Sequence, residues 1–277
     1  MQDPPIVELT ELPHPARSVR WGPWKAQPSA GTAIKRLKLL MLHGFGGSPG
    51  EMRPLGRALL RRGFTLQAPL LPGHGENLEA MREILLADWL EAVTLSYESM
   101  RRDDRPVAIV GFCLGGALAL RLAGQLNPRA LVCLATPARP LADAAFPGTT
   151  GLRSNLKNIN DSSSAEVCRW RNLGCHQMVP EAFFAQYQQL LSTLGPALGE
   201  VRCPILVAQS RKDKIVEASD AEYLVETVSS QRRKLVWSRR AGHALPVDVG
   251  RRALFAEIIS FLEEEDLASA PNFGPRP

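Results

Sequence analysis

The fold turns on the stretch "PVAIVGFCLGGALALRLA", residues 106–123. Its first part, Val107 to Val110, is a short apolar run with β-branched residues, the composition of a strand buried on both faces. From Leu114 to Leu126 apolar residues recur at three- and four-residue spacing, which predicts a helix. Between the two, Gly111-Phe112-Cys113-Leu114-Gly115-Gly116 must turn the chain from strand to helix within a few residues, with Cys113 at the turn.

Outward from this turn the same alternation repeats. Apolar runs at Leu37–Leu42, Phe64–Pro69, Ala130–Ala135, Ile205–Gln209 and Leu235–Trp237 read as further strands buried on both faces. Helical spacing covers Pro54–Arg62, Leu85–Met100, Ala218–Val228 and Val249–Glu264. Strands alternating with helices imply an α/β fold, a parallel sheet covered on both sides. Residues 137–200 break the rhythm with a Gly/Ser/Asn-rich stretch, Pro147–Ser164, and then a helix at Pro180–Leu194, with no strand expected between them. They are expected to form a cap inserted over a core of residues 1–136 and 201–277. Residues 1–33 are rich in Pro and Gly and are expected to be irregular or edge-strand structure, with Trp21 and Trp24 packing locally.

The chain has 277 residues, 45% hydrophobic and 22% charged, enough to bury a sizeable core in one domain with an insertion. Its net charge of +5 comes from scattered pairs such as Arg61-Arg62 and Arg239-Arg240, many beside acidic residues. No basic stripe interleaved with aromatics is present, so no nucleic-acid partner is expected. The five cysteines, at 113, 133, 168, 175 and 203, form no C-x-x-C pair and are odd in number. Free thiols in a reducing cytoplasm are expected rather than disulfides. No basic segment followed by an apolar run opens the chain, and no apolar stretch reaches the roughly 18 residues of a membrane span.

In an open parallel sheet, ligands bind beyond the carboxyl ends of the strands, so reactive residues that follow strands are the candidates. Four places qualify: His43-Gly44-Phe45-Gly46-Gly47, Cys113, Asp213 and Gly242-His243. A thiol needs a base to become a thiolate at neutral pH, and that base needs a carboxylate to fix its tautomer. Cys113, His243 and Asp213 supply the three types, each from a different strand end, at a turn where a G-x-S-x-G enzyme carries its serine. The developing oxyanion needs donors, which the backbone N–H groups of Leu114 and Phe45 can provide.

The segments "LLMLHGFGGSPGEMRPLGRAL", "APLLPGHG", "VGFCLGGALAL", "QSRKDKIV" and "AGHAL" together resemble, over roughly residues 35–265, the α/β-hydrolase superfamily, nearest to small bacterial carboxylesterases and monoglyceride-lipase-like enzymes. The resemblance implies an eight-stranded, mostly parallel sheet, a cap after the sixth strand, and Asp213 as the acid in a D-x-x-V turn. Those esterases carry Ser where this chain has Cys113. At this one turn the chain is more similar to dienelactone hydrolases, which have a Cys/Asp/His triad.

Single residues admit plainer readings. His43 is expected to partner the glycine loop structurally, and His74 likewise, though near the pocket; Cys133, Cys168, Cys175 and Cys203 are expected to be packing thiols. Asp220 falls within a helix and Asp248 lies beyond the histidine, which leaves Asp213 as the acid. Phe183, Phe184, Tyr187, Leu190 and Leu191 form a stripe whose ordinary role is cap packing. The whole constellation implies an acyl hydrolase of esters, lactones or thioesters working through an acyl-cysteine, without metal or cofactor, on a small-molecule acyl substrate. An acyltransferase or cyclase would use the same triad, and a non-catalytic ligand-binding protein would need none of it. Chain length of the acyl group and oligomeric state have no signature in the sequence.

Overall fold

The computed structural model describes residues 22–75, 77–141, 148–149, 152–154 and 178–268. Among these residues ten strands run β1 (Trp24–Ala26), β2 (Lys38–Leu42), β3 (Thr65–Ala68), β4 (Val107–Phe112), β5 (Leu131–Leu134), β6 (Gly148–Thr149), β7 (Leu152–Ser154), β8 (Met178–Pro180), β9 (Ile205–Ser210) and β10 (Arg233–Ser238). The helices are α1 (Arg53–Leu60), α2 (Leu78–Arg82), α3 (Leu86–Met100), α4 (Leu114–Leu126), α5 (Glu181–Ser192), α6 (Leu194–Leu198), α7 (Ala218–Thr227) and α8 (Arg251–Ala268).

The main sheet has the order β1-β3-β2-β4-β5-β9-β10, with every pair parallel except β1 on β3. Among the described residues it has seven strands, against the eight the resemblance implies. Strands β2, β4, β5 and β9 are buried at every position, as their unbroken apolar runs predict. β10 departs from that expectation. It is the last strand of the sheet and only partly covered, and its Trp237 lies under the Arg211 guanidinium, 4.1 Å from the ring centre.

Strand order reverses between β2 and β4, because β3 lies on one side of β2 and β4 on the other. Loops leaving the two strands therefore diverge and leave a crevice at their carboxyl ends, the place where ligands bind in such sheets. α4, which follows β4, is buried almost all round. A helix that is apolar on all sides needs cover on all sides; this one packs against β4, α3, α5 and α6.

Trp24 does not pack locally. Its Nε1–H donates to the Pro49 carbonyl (3.1 Å) and Arg53 lies over its ring, so this residue ties the edge strand to the start of α1; Trp21 lies outside the described residues. The expectation of no strand between the Gly/Ser/Asn-rich stretch and the helix that follows it was wrong at β8, which pairs with β7 inside that stretch; β6, β7 and β8 form a small antiparallel sheet leading into α5. Pieces of two or three residues are too short for any periodicity to register. The same holds for the five-residue helices α2 and α6. No helix among the described residues is long and apolar enough to cross a membrane, and no group of three or more His, Cys, Asp or Glu among them could hold a metal ion.

Candidate active site

Cys113 stands between the end of β4 and the first residue of α4, which it caps, with φ 51° and ψ −111°. A side chain rarely tolerates such a conformation, which costs on the order of 1–3 kcal/mol and persists only where the surroundings enforce it. Here the Cys113 N–H donates to the Leu134 carbonyl (2.9 Å), while its own carbonyl accepts from the N–H groups of Gly116 and Ala117 (3.0 and 3.1 Å). The turn also brings α4 against the sheet so closely that a Cβ on Gly111 would meet the backbone of Gly115 and Gly116, and one on Gly115 the backbone of Leu42. The glycines of this turn are thus required by close approach, and the strain is concentrated at the cysteine.

His243 and Asp213 arrive from the ends of β10 and β9. His243 Nδ1 donates to Asp213 Oδ2 at 2.8 Å. The other oxygen, Asp213 Oδ1, accepts from the N–H groups of Ile215 (2.8 Å) and Val216 (3.1 Å), so the turn that follows fixes the carboxylate in place. Burial alone would lower the His243 pKa. The Asp213 charge, then Cys113, and hydrogen bonds to both outweigh it and hold the imidazole well above its ordinary range. The three residues expected from sequence are therefore brought together, with His243 between the carboxylate and the thiol.

The rival carboxylates have other tasks. Asp220 pairs with Arg139 (2.5 Å) and accepts the Ala138 N–H (3.0 Å). Asp248 accepts the N–H groups of Gly242 and Val249, both at 2.6 Å, and so shapes the loop that carries His243. Cys133 and Cys203 are buried, and burial pushes the Cys133 thiol far up and that of Cys203 up to about 12, as befits packing groups. Cys168 and Cys175 lie outside the described residues.

The glycine-rich loop after β2 is held from two sides. The Gly44 N–H donates to Glu51 Oε2 (2.9 Å), a carboxylate that is itself buried. His43 Nε2 accepts the Leu71 N–H (3.0 Å), which leaves Nδ1 as the donor to the Gly44 carbonyl (3.0 Å). An imidazole that accepts at one nitrogen and donates at the other is neutral; burial, opposed by the Gly44 hydrogen bond, brings its pKa down to about 4. His43 is thus a strut of the loop carrying Phe45. Leu114, the other expected donor, is the first residue of α4, where a helix leaves its N–H groups without intrahelical partners.

This strut has a measurable consequence. The unfolded chain protonates such a histidine near its ordinary value of 6.5, the folded chain only near 4. Its stabilisation is complete above pH 6.5 and is lost as the pH falls to 4, in all about 3 kcal/mol. Urea unfolding at pH 7 and at pH 4.5 should show a smaller acid loss in His43→Gln than in the parent.

Over the carboxyl edge lies α5, whose stripe faces inward. Phe45 stacks with Tyr187 (centroids 4.8 Å apart) and with Phe183 (5.2 Å), and Trp89, His74 and Phe184 meet it edge-on. Cys113, Phe45 and His243 are each no more than 4% exposed. The Tyr187 hydroxyl sits 3.2 Å from Cys113 Sγ. Sequence spacing marks Tyr187 only as one member of an apolar stripe; the single signal available was a hydroxyl among Phe and Leu. A cleft of about 590 Å³ that includes Arg36, Arg105 and Arg202 lies instead at the opposite edge, beside Pro106 and Pro204, where β4 and β9 begin. It shares no residue with this site.

A family model described as "Alpha/beta hydrolase family" matches residues 39–258. The chain is similar to a thermostable monoacylglycerol lipase of Bacillus sp. (strain H-257), 27% identical over 235 residues, which cover 80% of this chain and 89% of that protein. It is similar also to a carboxylesterase of Bacillus subtilis (strain 168), 25% identical over 230 residues, 82% of this chain and 93% of that one. Among solved structures, a metagenome-derived lipolytic enzyme superposes with a TM-score of 0.74 at 22% identity, over 89% of this chain and 98% of the other, a likeness of fold.

Proposed function

The chain belongs to the alpha/beta hydrolase family and is an ester hydrolase, and we propose that it works through an acyl-Cys113 intermediate with His243 and Asp213. The observation that carries this reading is the strained Cys113 turn, with the His243–Asp213 pair at 2.8 Å beside it.

In this mechanism the Cys113 proton passes to His243, and the sulfur attacks the ester carbonyl carbon. A C–S bond forms, and the carbonyl π pair moves to oxygen, where the N–H groups of Leu114 and Phe45 receive it. Collapse breaks the C–O bond, and the imidazolium gives its proton to the departing alkoxide. His243 then takes a proton from water as the water attacks the thioester, and the thiolate leaves. Asp213 keeps Nδ1 as the protonated nitrogen, which leaves Nε2 to exchange the proton.

A thiolate leaves a tetrahedral adduct more readily than an alkoxide, so the first adduct falls back unless the ester's own leaving group is good. Activated esters, lactones and thioesters follow as the preferred substrates. Of the cap expected at residues 137–200, residues 142–147, 150–151 and 155–177 lie outside the described residues; α5, which reaches the nucleophile, is assigned as a part of it that excludes water from the acyl-enzyme.

Mixing the protein with p-nitrophenyl acetate and quenching in acid should yield a species one acetyl group heavier by intact mass, with the label on Cys113. Cys113→Ala should show neither adduct nor turnover above the spontaneous rate. Turnover at the parent rate in that variant would sink the assignment of the nucleophile.

A further inference from the structure

The Tyr187 hydroxyl is placed with little freedom. Its ring is stacked on Phe45, and both neighbours in α5 are tied down. Gln186 Oε1 accepts the Leu86 N–H at the start of α3 (2.8 Å). Gln188 exchanges two hydrogen bonds with the Leu141 backbone (2.9 and 2.7 Å). A tyrosine needed only for bulk would be served by phenylalanine at the same stacked position. This one is fully buried and aims its one polar atom at the sulfur.

We propose that Tyr187 is a further catalytic residue: its hydroxyl donates a hydrogen bond to Cys113 Sγ and, opposite His243, holds the nucleophile as a thiolate. This rests on the reading of Cys113 as the nucleophile. The thiol proton moves to His243 while the phenol keeps its own. In deacylation the C–S bond breaks, its electron pair goes to sulfur, and the same O–H receives the charge. Burial, and then the charge of Cys113, raise the phenol well above its ordinary range, so it stays protonated, and a donor, into the alkaline range as well as at neutral pH.

Among the described residues, the charged and titratable groups around the sulfur do not duplicate this task. His243 and Asp213 form the proton-carrying pair on one side. Asp220, at the start of α7, is neutralised by Arg139. On the side of the glycine loop, Glu51 is bonded to the Gly44 N–H and His43 is neutral. A serine enzyme has no comparable use for such a donor, because its nucleophile carries no charge before attack. The donor and the cysteine belong together.

The test follows alkylation of Cys113 by iodoacetamide as a function of pH. Removing a hydrogen bond that favours the charged form should, in Tyr187→Phe, move the acid limb up by about one pH unit, while the rates converge at high pH. Acetyl-enzyme should also persist longer in that variant. An acid limb that does not move, or alkylation faster at every pH as expected for a phenol that merely covers the sulfur, would overturn the proposal. Should Tyr187→Phe fold poorly by thermal melting, 3-fluorotyrosine at position 187, a stronger donor of the same shape, should move the limb down; no movement there counts equally against it. The alkylation profile reads the bond whether or not the thiol is the nucleophile, whereas turnover surviving in Cys113→Ala defeats that reading alone.

Discussion

Replacing His243, the proposed proton carrier, by alanine should lower kcat/KM on an activated ester by roughly four orders of magnitude or more, the usual cost of such a loss from a triad. The geometry says why the loss should be so large. His243 is 4% exposed, so water does not readily take its place, and Asp213 would then face the pocket without the imidazolium it orients. Asp213→Asn should cost about as much for a different reason. An amide NH2 at that position donates toward Nδ1 and favours the tautomer with Nε2 protonated, which cannot accept the thiol proton. Steady-state kinetics on the two single variants and the double variant provide the check. Residues acting as one unit give losses that do not add, and a double variant far worse than either single one would break the triad apart.

The second large effect falls on stability. In Gly115→Ala the new Cβ would overlap the backbone of Leu42, which pairs with Gly111 at the end of β2, a strand held in the middle of the sheet by its register with Val107–Gly111. No side chain can rotate aside, so either β2 or α4 must shift, and the cost should reach about 3 kcal/mol or more. For a chain of this size, thermal melting should show that as a fall of roughly 6–12 °C. Gly195→Ala is the control. A Cβ there meets nothing within 4 Å, and in the helical stretch of α6 alanine should be neutral or stabilise by up to about 1 kcal/mol. A similar fall in both variants would mean that the elbow is not the sensitive point.

Much of this architecture is legible along the chain because its causes are local. The strand and helix on either side of Cys113 are each specified by unbroken apolar runs or by spacing, and α4 lies at Leu114–Leu126 as the spacing predicts. Cys113, Asp213 and His243 stand out because each follows a strand, and strand ends in a parallel sheet lie along one edge whatever the loops do. The structure adds what distinguishes Asp213 from its rivals: Asp220 is occupied by Arg139 and Asp248 by its own loop. Partial exposure of β10 was not legible, since a run such as Leu235–Trp237 reads alike at a sheet's edge and at its centre. The strands β6 to β8 escaped for want of length.

The sequence by itself determined the alternation of strands and helices, the strand-to-helix turn at Cys113, and the order in which Cys113, Asp213 and His243 follow their strands, because backbone propensity and apolar periodicity act over a few neighbouring residues. Only the tertiary structure decided what faces the thiol. Tyr187 lies 74 residues from Cys113 along the chain, and its hydroxyl reaches the sulfur only because α5 packs across the carboxyl edge with Phe45 stacked beneath it. That contact depends on how one amphipathic helix is rotated and seated on a sheet. Spacing identifies the apolar face of such a helix but does not say which atom of that face meets which partner.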